Sequence, residues 1–211
     1  MAFELGTLCN LWWYPVKSLR GRPLETVRVE SGGIPGDRGR ALFVRSGHAR
    51  QGKPYRGKEH HGLHLLGGPE EAVRLAASSG VDAAVRDDDG HYFDLAPISL
   101  ILDSWLAEAS ALVGYSLEPV RFRPNFFVAA NGFDDTEASL TGARLRIGDT
   151  VLRVRKPIER CVTPSYDLET GKSDPAVVRA IAQQRRNEMG IYCDVEEPGE
   201  VRLGDAVLVE R

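Results

Sequence analysis

Thiols are scarce in this chain of 211 residues. Its three cysteines, Cys9, Cys161 and Cys193, are odd in number and form no C-x-x-C pair, which argues against a disulfide framework and a structural zinc site. Three thiolates also fall short of the four an iron–sulfur cluster usually takes. Charge of one sign is equally lacking: 27 Lys and Arg stand against 30 Asp and Glu, for a net charge of −3. Such a balance gives no general attraction to nucleic acid or to an anionic membrane, so any anion site must be a local cluster. No run of about 18 apolar residues occurs, and residues 1–7 have no basic stretch leading into an apolar one. Neither a membrane span nor a signal peptide is expected, and a reducing, cytoplasmic setting fits. A nucleotide-phosphate loop is missing too, since neither glycine cluster continues into Gly-Lys-Ser/Thr or G-x-G-x-x-G.

What remains is ordinary for a soluble globular protein, 42% hydrophobic and 27% charged, with length for one domain or two small fused ones. Strand patterns predominate, at 11–14, 26–29, 41–44, 119–123, 126–129, 144–147, 151–156, 192–196 and 206–210. Residues 83–86 and 92–95 flank Asp87-Asp88-Asp89-Gly90 and read as a hairpin. Helices are predicted at 69–75, with proline at its start, at 99–113, with Ser99 as cap or in its first turn and Gly114 as stop, and at about 176–189. The segments 145–154 and 201–210 echo each other as strand, Gly-Asp turn, strand, and read as two similar hairpins. Many short strands with few helices predict an α+β, β-rich fold of barrel type. The glycine- and proline-rich loop at 31–38 should leave Asp37 and Arg38 within reach of a ligand.

Among the thiols, Cys161 has the richest setting, Arg155-Lys156-Pro157-Ile158-Glu159-Arg160-Cys161-Val162-Thr163-Pro164. Two prolines make a helix or central strand unfavourable there, and a basic neighbourhood favours the thiolate, which attacks electrophiles and binds soft metals. The plainer alternative is a small buried hydrophobe. Cys9, beside an apolar run, and Cys193, in a strand, are assigned to packing.

Four segments then occur in a telling order: Tyr14-Pro15-Val16-Lys17-Ser18, Gly36-Asp37-Arg38, Arg121-Phe122-Arg123-Pro124-Asn125, and Arg160-Cys161-Val162-Thr163-Pro164 followed by Asp167-Leu168-Glu169-Thr170-Gly171. The chain closes on Glu197-Pro198-Gly199-Glu200-Val201-Arg202-Leu203-Gly204-Asp205. This order resembles the MOSC family, named for the C-terminal domain of molybdenum-cofactor sulfurase, and is most similar to its amidoxime-reducing branch. The resemblance implies an N-terminal β-barrel-like module at 1–95 packed on a mixed or antiparallel β-barrel MOSC domain at 96–211, and a bound molybdenum cofactor, a metal held by a pyranopterin that carries a phosphate. It implies that Cys161 ligates the metal, that Lys17, Arg38 and Arg123 hold pterin and phosphate, and that Asn125 assists, with Arg160 also in the cofactor-binding set. Residue chemistry agrees: guanidinium forks suit phosphate, and asparagine offers both donor and acceptor. Where relatives often have a hydroxyl before Pro97 this chain has Ala96, so one polar contact that the resemblance implies is either missing or supplied by Ser99.

The implied activity is reduction of small N-hydroxylated compounds, with electrons from a separate donor protein and no nucleic-acid or membrane partner. Two rivals stay open: a sulfur carrier working through a Cys161 persulfide, and a non-catalytic module that stores or delivers the cofactor. No lysine context suggests pyridoxal phosphate. Other constellations read more plainly. His60, His61 and His64, interrupted by Gly62, suggest an exposed loop or a pocket rim before a metal site, and Asp167 with Glu169 a capped turn before a catalytic pair. The basic run at 179–186 reads as a solvated helix face, with docking of an acidic redox partner the lesser reading. Trp12 and Trp13 should straddle a strand, one ring inward.

Overall fold

The first strand, β1 (Phe3–Trp13), explains how the chain closes on itself in this computed structural model, which describes residues 3–88 and 90–210. It serves three antiparallel partners in turn: β12 (Ala206–Glu210) along residues 3–7, β7 (Phe126–Ala130) along 6–11, and β2 (Arg22–Leu24) along 11–13. The register slips between Glu4 and Gly6 and again between Leu8 and Asn10, and such bulges bend a strand from one neighbour to the next. Gly6 lies at the tightest point, where a Cβ would stand 1.9 Å from the Ala129 carbonyl oxygen.

From β12 the sheet continues through β8 (Arg144–Ile147), β9 (Thr150–Glu159), β10 (Glu188–Glu197), β6 (Ile98–Leu102) and β7 to β1, seven strands closed by the β1–β12 pairing. Closure leaves no unpaired edge in the ring. The β6–β7 pair is parallel, and the crossover it needs is supplied by α2 (Asp103–Val113). Leu5, Leu8, Leu100, Phe126, Leu145, Ile191 and Val207 belong to one large buried core. A second, smaller core packs α1 (Pro69–Ser78) on the antiparallel ladder of β4 (Ala41–Gly47) and β5 (Val81–Arg86), around Leu42, Val44, Tyr55, Leu63, Ala72 and Ala76. β3 (Thr26–Val29) pairs with β11 (Gly199–Arg202), and α3 (Pro175–Gln184) packs beside α2. The α+β, β-rich class is therefore what forms.

Several local expectations are corrected. Residues 98–102 are strand β6, buried at every position, so the helix starts at Asp103 and Ser99 caps nothing. An apolar run such as Ile-Ser-Leu-Ile-Leu cannot be assigned to helix or strand by periodicity alone. The strand expected at 119–123 is a 3-10 turn, Pro119–Phe122, ended by Arg123 in the left-handed region at φ 55°. Residues 92–95 form no strand, because β5 takes β4 as its partner; Asp89 of the expected turn lies outside the described residues. Of the two echoing segments, 145–154 is a hairpin. In the other, β11 and β12 leave each other for β3 and for β8 and β1. The last helix ends at Gln184, since Arg186 and Asn187 have positive φ. Pro157 sits inside β9, opposite Ile191, beside a register slip between Glu188 and Ile191 that relieves the missing N–H. Trp12 is buried and Trp13 partly exposed, as expected of neighbours on a strand.

Candidate functional site

Lys17, Arg38, Ser99, Arg123, Asn125, Arg160 and Cys161, far apart in sequence, all line one cleft of about 330 Å³. Its lining comes from both halves of the sequence, Lys17, Arg38, Arg56 and Asp94 from the first and Arg121, Arg123, Arg160 and Cys161 from the second. Seven basic side chains line it against two acidic ones, a positive concavity in a protein whose net charge is −3.

Arg38 is set by its own backbone, in the left-handed region at φ 50°, and by Asp37. The expectation that Asp37 would be open to a ligand is corrected: it is buried, accepts the Tyr14 amide at 2.7 Å and pairs with Arg38. Burial works against the Arg38 charge, and Asp37 more than restores it. The Arg38 guanidinium donates to the Arg123 carbonyl at 2.9 Å and to Asn125 Oδ1 at 3.3 Å. Asn125 Oδ1 also accepts from the Ser99 amide and hydroxyl, at 3.1 and 3.0 Å, while its Nδ2 donates to the Trp12 carbonyl at 3.3 Å. Ser99 and Asn125 thus spend their polar atoms mainly on each other, on β1 and on Arg38, and brace the guanidinium from behind.

Tyr14 lies between two guanidinium groups, with Arg38 and Arg123 at 4.5 and 4.4 Å from its ring centroid. Gly21 makes the room, since a Cβ there would stand 2.4 Å from the Tyr14 ring. Burial pushes the Tyr14 hydroxyl up to about 12, keeping it neutral. Arg123 donates through Nη1 to the Leu19 carbonyl at 2.7 Å, but its buried Nη2 has no partner. Burial, joined by Arg38, pushes Arg123 down to about 10, which leaves it charged at neutral pH. Arg160, also lowered to about 10 by burial, is held by the Met189 and Phe122 carbonyls, each at 2.8 Å. Lys17 donates to the Tyr92 carbonyl at 2.8 Å and pairs with Asp94. Burial raises Asp94, but Lys17, Arg38 and Arg123 prevail and hold its carboxyl below the usual range.

Cys161 follows the end of β9 and is exposed, with Sγ 3.2 Å from Thr163 Oγ1. Cys193 is fully buried, as expected of a packing residue, and burial pushes its thiol well up. Cys9 is corrected: it is exposed on β1 rather than packed. Alkylation of the native protein is therefore expected to modify Cys161 and Cys9 and to spare Cys193 until the fold is opened, as read by peptide mass mapping.

Sequence reasoning passed over several groups of this cleft. Arg56 and Lys58 come from an irregular loop, and Arg121 is nearly buried and paired with Asp167 at 2.8 Å. Asp167 Oδ1 accepts from Thr170 N and Oγ1, both at 2.7 Å, and its Oδ2 pairs with Arg121, so it caps a turn and ties down the loop after Cys161. The hydrogen bonds from Thr170 hold its carboxyl below the usual range. His64 is not on an exposed loop: the 3-10 turn His61–Leu65 carries it to 2% exposure in the cleft wall. Among the described residues no group of three or more His, Cys, Asp or Glu could hold a metal ion. Nor is the run 179–186 uniformly solvated, since Arg185 is buried against Glu137.

The fold and cleft define a class: a closed β-barrel with a basic cavity that has an exposed thiol in its lining. The MOSC domain family model matches residues 87–208, and the chain belongs to that family, which is linked in general to molybdenum-cofactor binding. The matched segment carries six of the seven barrel strands, β12 running slightly beyond it, and β1 supplies the seventh. No curated protein matches the sequence. Among solved structures, the YuaD protein from Bacillus subtilis is similar with TM-score 0.62 and 20% identity, over 99% of this chain and 98% of that one. A crystal structure described as a hypothetical protein is similar with TM-score 0.51 and 12% identity, over 100% of this chain and 70% of that one. At these identities the likeness concerns the fold. Among the described residues no helix is long and apolar enough to cross a membrane.

Proposed function

We propose that the cleft binds a molybdenum cofactor and that the protein reduces small N-hydroxylated compounds with electrons from a separate donor protein, in the cytoplasm. The observation that carries this reading is the buried Arg123 Nη2 without a partner, in a cavity where six further basic side chains and an exposed thiol converge. A charged donor left unsatisfied in the interior is costly, and a bound anion removes the cost. The residues fit the group: guanidinium and ammonium for a phosphate, and a thiolate for a soft metal.

On this reading residues 1–95 and 96–211 act as two units that share one site. Lys17 and Arg38 from the first, with Arg123 and Arg160 from the second, hold the phosphate and pterin. Ser99 and Asn125 keep the Arg38 fork in place, and Cys161 is the metal ligand. When bound, the group would supply two-electron redox chemistry for the reduction of an N-hydroxylated substrate, with the electrons and protons coming from the donor protein and solvent. The protein's share is position, charge and exclusion of water. A second reading, a persulfide carrier, is favoured only by the exposure of the Cys161 thiol.

Protein expressed with ample cofactor supply is expected to hold molybdenum and to reduce an amidoxime with an artificial electron donor. Molybdenum without turnover would favour storage, and cyanide-releasable sulfur without molybdenum would favour the sulfur carrier.

A further inference from the structure

His64 is a buried side chain of the cleft whose two ring nitrogens both lack a well-formed hydrogen bond, with only a marginal contact toward the Ser18 backbone. Its position is built rather than incidental. The turn His61–Leu65 packs the imidazole against Tyr166, ring centroids 6.1 Å apart, and against Gly57, where a Cβ would fall 1.8 Å from Nε2. Burial, and then the charge of Arg123, hold His64 down to about 3, so the ring is neutral across the physiological range and keeps one N–H donor and one acceptor nitrogen. His61, stacked on Tyr166 at 5.4 Å, adds a smaller push in the same direction.

Arg123 is thus the cation that acts most on His64, and its Nη2 is itself buried and unpartnered in the same cleft. Unmet buried donors of this kind mark a place where a ligand completes the hydrogen bonding. A neutral N–H donor and a charged one in the lining of the same cleft suit an oxygen-rich anion better than a neutral ring edge.

We propose that His64 is an oxyanion-binding residue of the cleft, its ring N–H donating to the same oxyanion that Arg123 Nη2 holds. Resting on the function proposed above, that oxyanion is the phosphate of the cofactor. Gly57 then serves as the gap that lets the imidazole reach it, and the tilted contact with Tyr166 restrains the plane of the ring.

The test uses cofactor-free, nitrogen-15-labelled protein and inorganic phosphate as the probe. The His64 ring nitrogen signals are expected to move saturably with phosphate, with the dissociation constant that calorimetry gives. His64→Phe, which keeps an aromatic ring against Tyr166, should weaken phosphate about 10-fold to 100-fold, the worth of one hydrogen bond to a charged group. His64→Gln, which restores an N–H, should recover most of the loss. Phosphate binding with unmoved His64 signals, or with undiminished affinity in His64→Phe, would overturn the role of His64 and leave the cofactor reading standing. Absence of any phosphate binding would overturn both, whereas binding that moves His64 in a protein that never takes up molybdenum would keep this inference and remove the cofactor. Should His64→Phe fail to fold, the wild-type titration alone decides.

Discussion

Replacing Cys161 by serine is expected to strip the protein of bound molybdenum and of amidoxime reduction while leaving its melting temperature unchanged. A serine oxygen is harder and far less acidic than a thiol and makes a poor partner for a soft metal. Changes to residues that merely support a ligand typically weaken metal binding 10–100-fold, so loss of a direct ligand should exceed about 100-fold. Stability should move by no more than about 0.5 kcal/mol, because Cys161 is exposed and touches little beyond the Thr163 hydroxyl. The informative measurement takes molybdenum content, cyanide-releasable sulfur and turnover from the same two samples. Retention of molybdenum by the serine variant would remove Cys161 from the metal. Loss of releasable sulfur alone, with no molybdenum in the wild type, would make Cys161 a sulfur carrier. Phosphate affinity of the cofactor-free variant should stay at the wild-type value, since the proposed anion contacts come from Lys17, Arg38, His64, Arg123 and Arg160 and none from the thiol.

What could be read in advance follows from where the information lies. The Lys17, Arg38, Arg123 and Cys161 segments were legible because each is a short, ordered cluster of unusual residues. The structure brings the four to one cavity although nothing in their spacing encodes distance. Strand patterns at 26–29, 126–129 and 144–147 carried the β-rich class, since period-2 alternation survives any topology. Partner choice did not survive: residues 92–95 and 201–210 look like hairpin halves, but which strand a segment joins is decided by the whole barrel. Ser99 shows the same limit at the scale of one residue. Its hydroxyl suits a helix cap, yet the buried β6 position turns it toward Asn125. His64 and Arg185 were hidden because burial of a polar side chain depends on what packs over it, which local sequence does not state.

The largest stability effect is expected at Glu137, a residue that no motif singles out. It lies in the 3-10 turn Glu137–Leu140 at 2% exposure, where Oε1 accepts from Arg185 Nη2 at 2.6 Å and from the Gly190 amide at 3.1 Å. Gly190 has φ 83°, and a Cβ there would meet the Leu100 carbonyl oxygen at 2.7 Å, so β10 can make this bend only with glycine. The preceding carbonyl, of Met189, is the one that holds Arg160. Glu137 therefore supports the cleft from behind, through the bend rather than by contact. Glu137→Ala should cost about 3–5 kcal/mol, because removing one partner strands a buried guanidinium and leaves the Gly190 amide unmet. Arg185 keeps Glu108 as a second acceptor, which favours the lower end of that range. For a chain of this length the melting temperature should fall by roughly 6–20 °C. Glu137→Gln keeps an acceptor oxygen for the Gly190 amide and should recover part of the loss. Thermal unfolding with phosphate titration separates stability from site: Glu137→Ala, assayed well below its melting temperature, should also bind phosphate more weakly as Arg160 loses its seat. Unchanged melting would show that the buried pair carries no stability, and unchanged phosphate affinity in a destabilised protein would show that Arg160 is held without it.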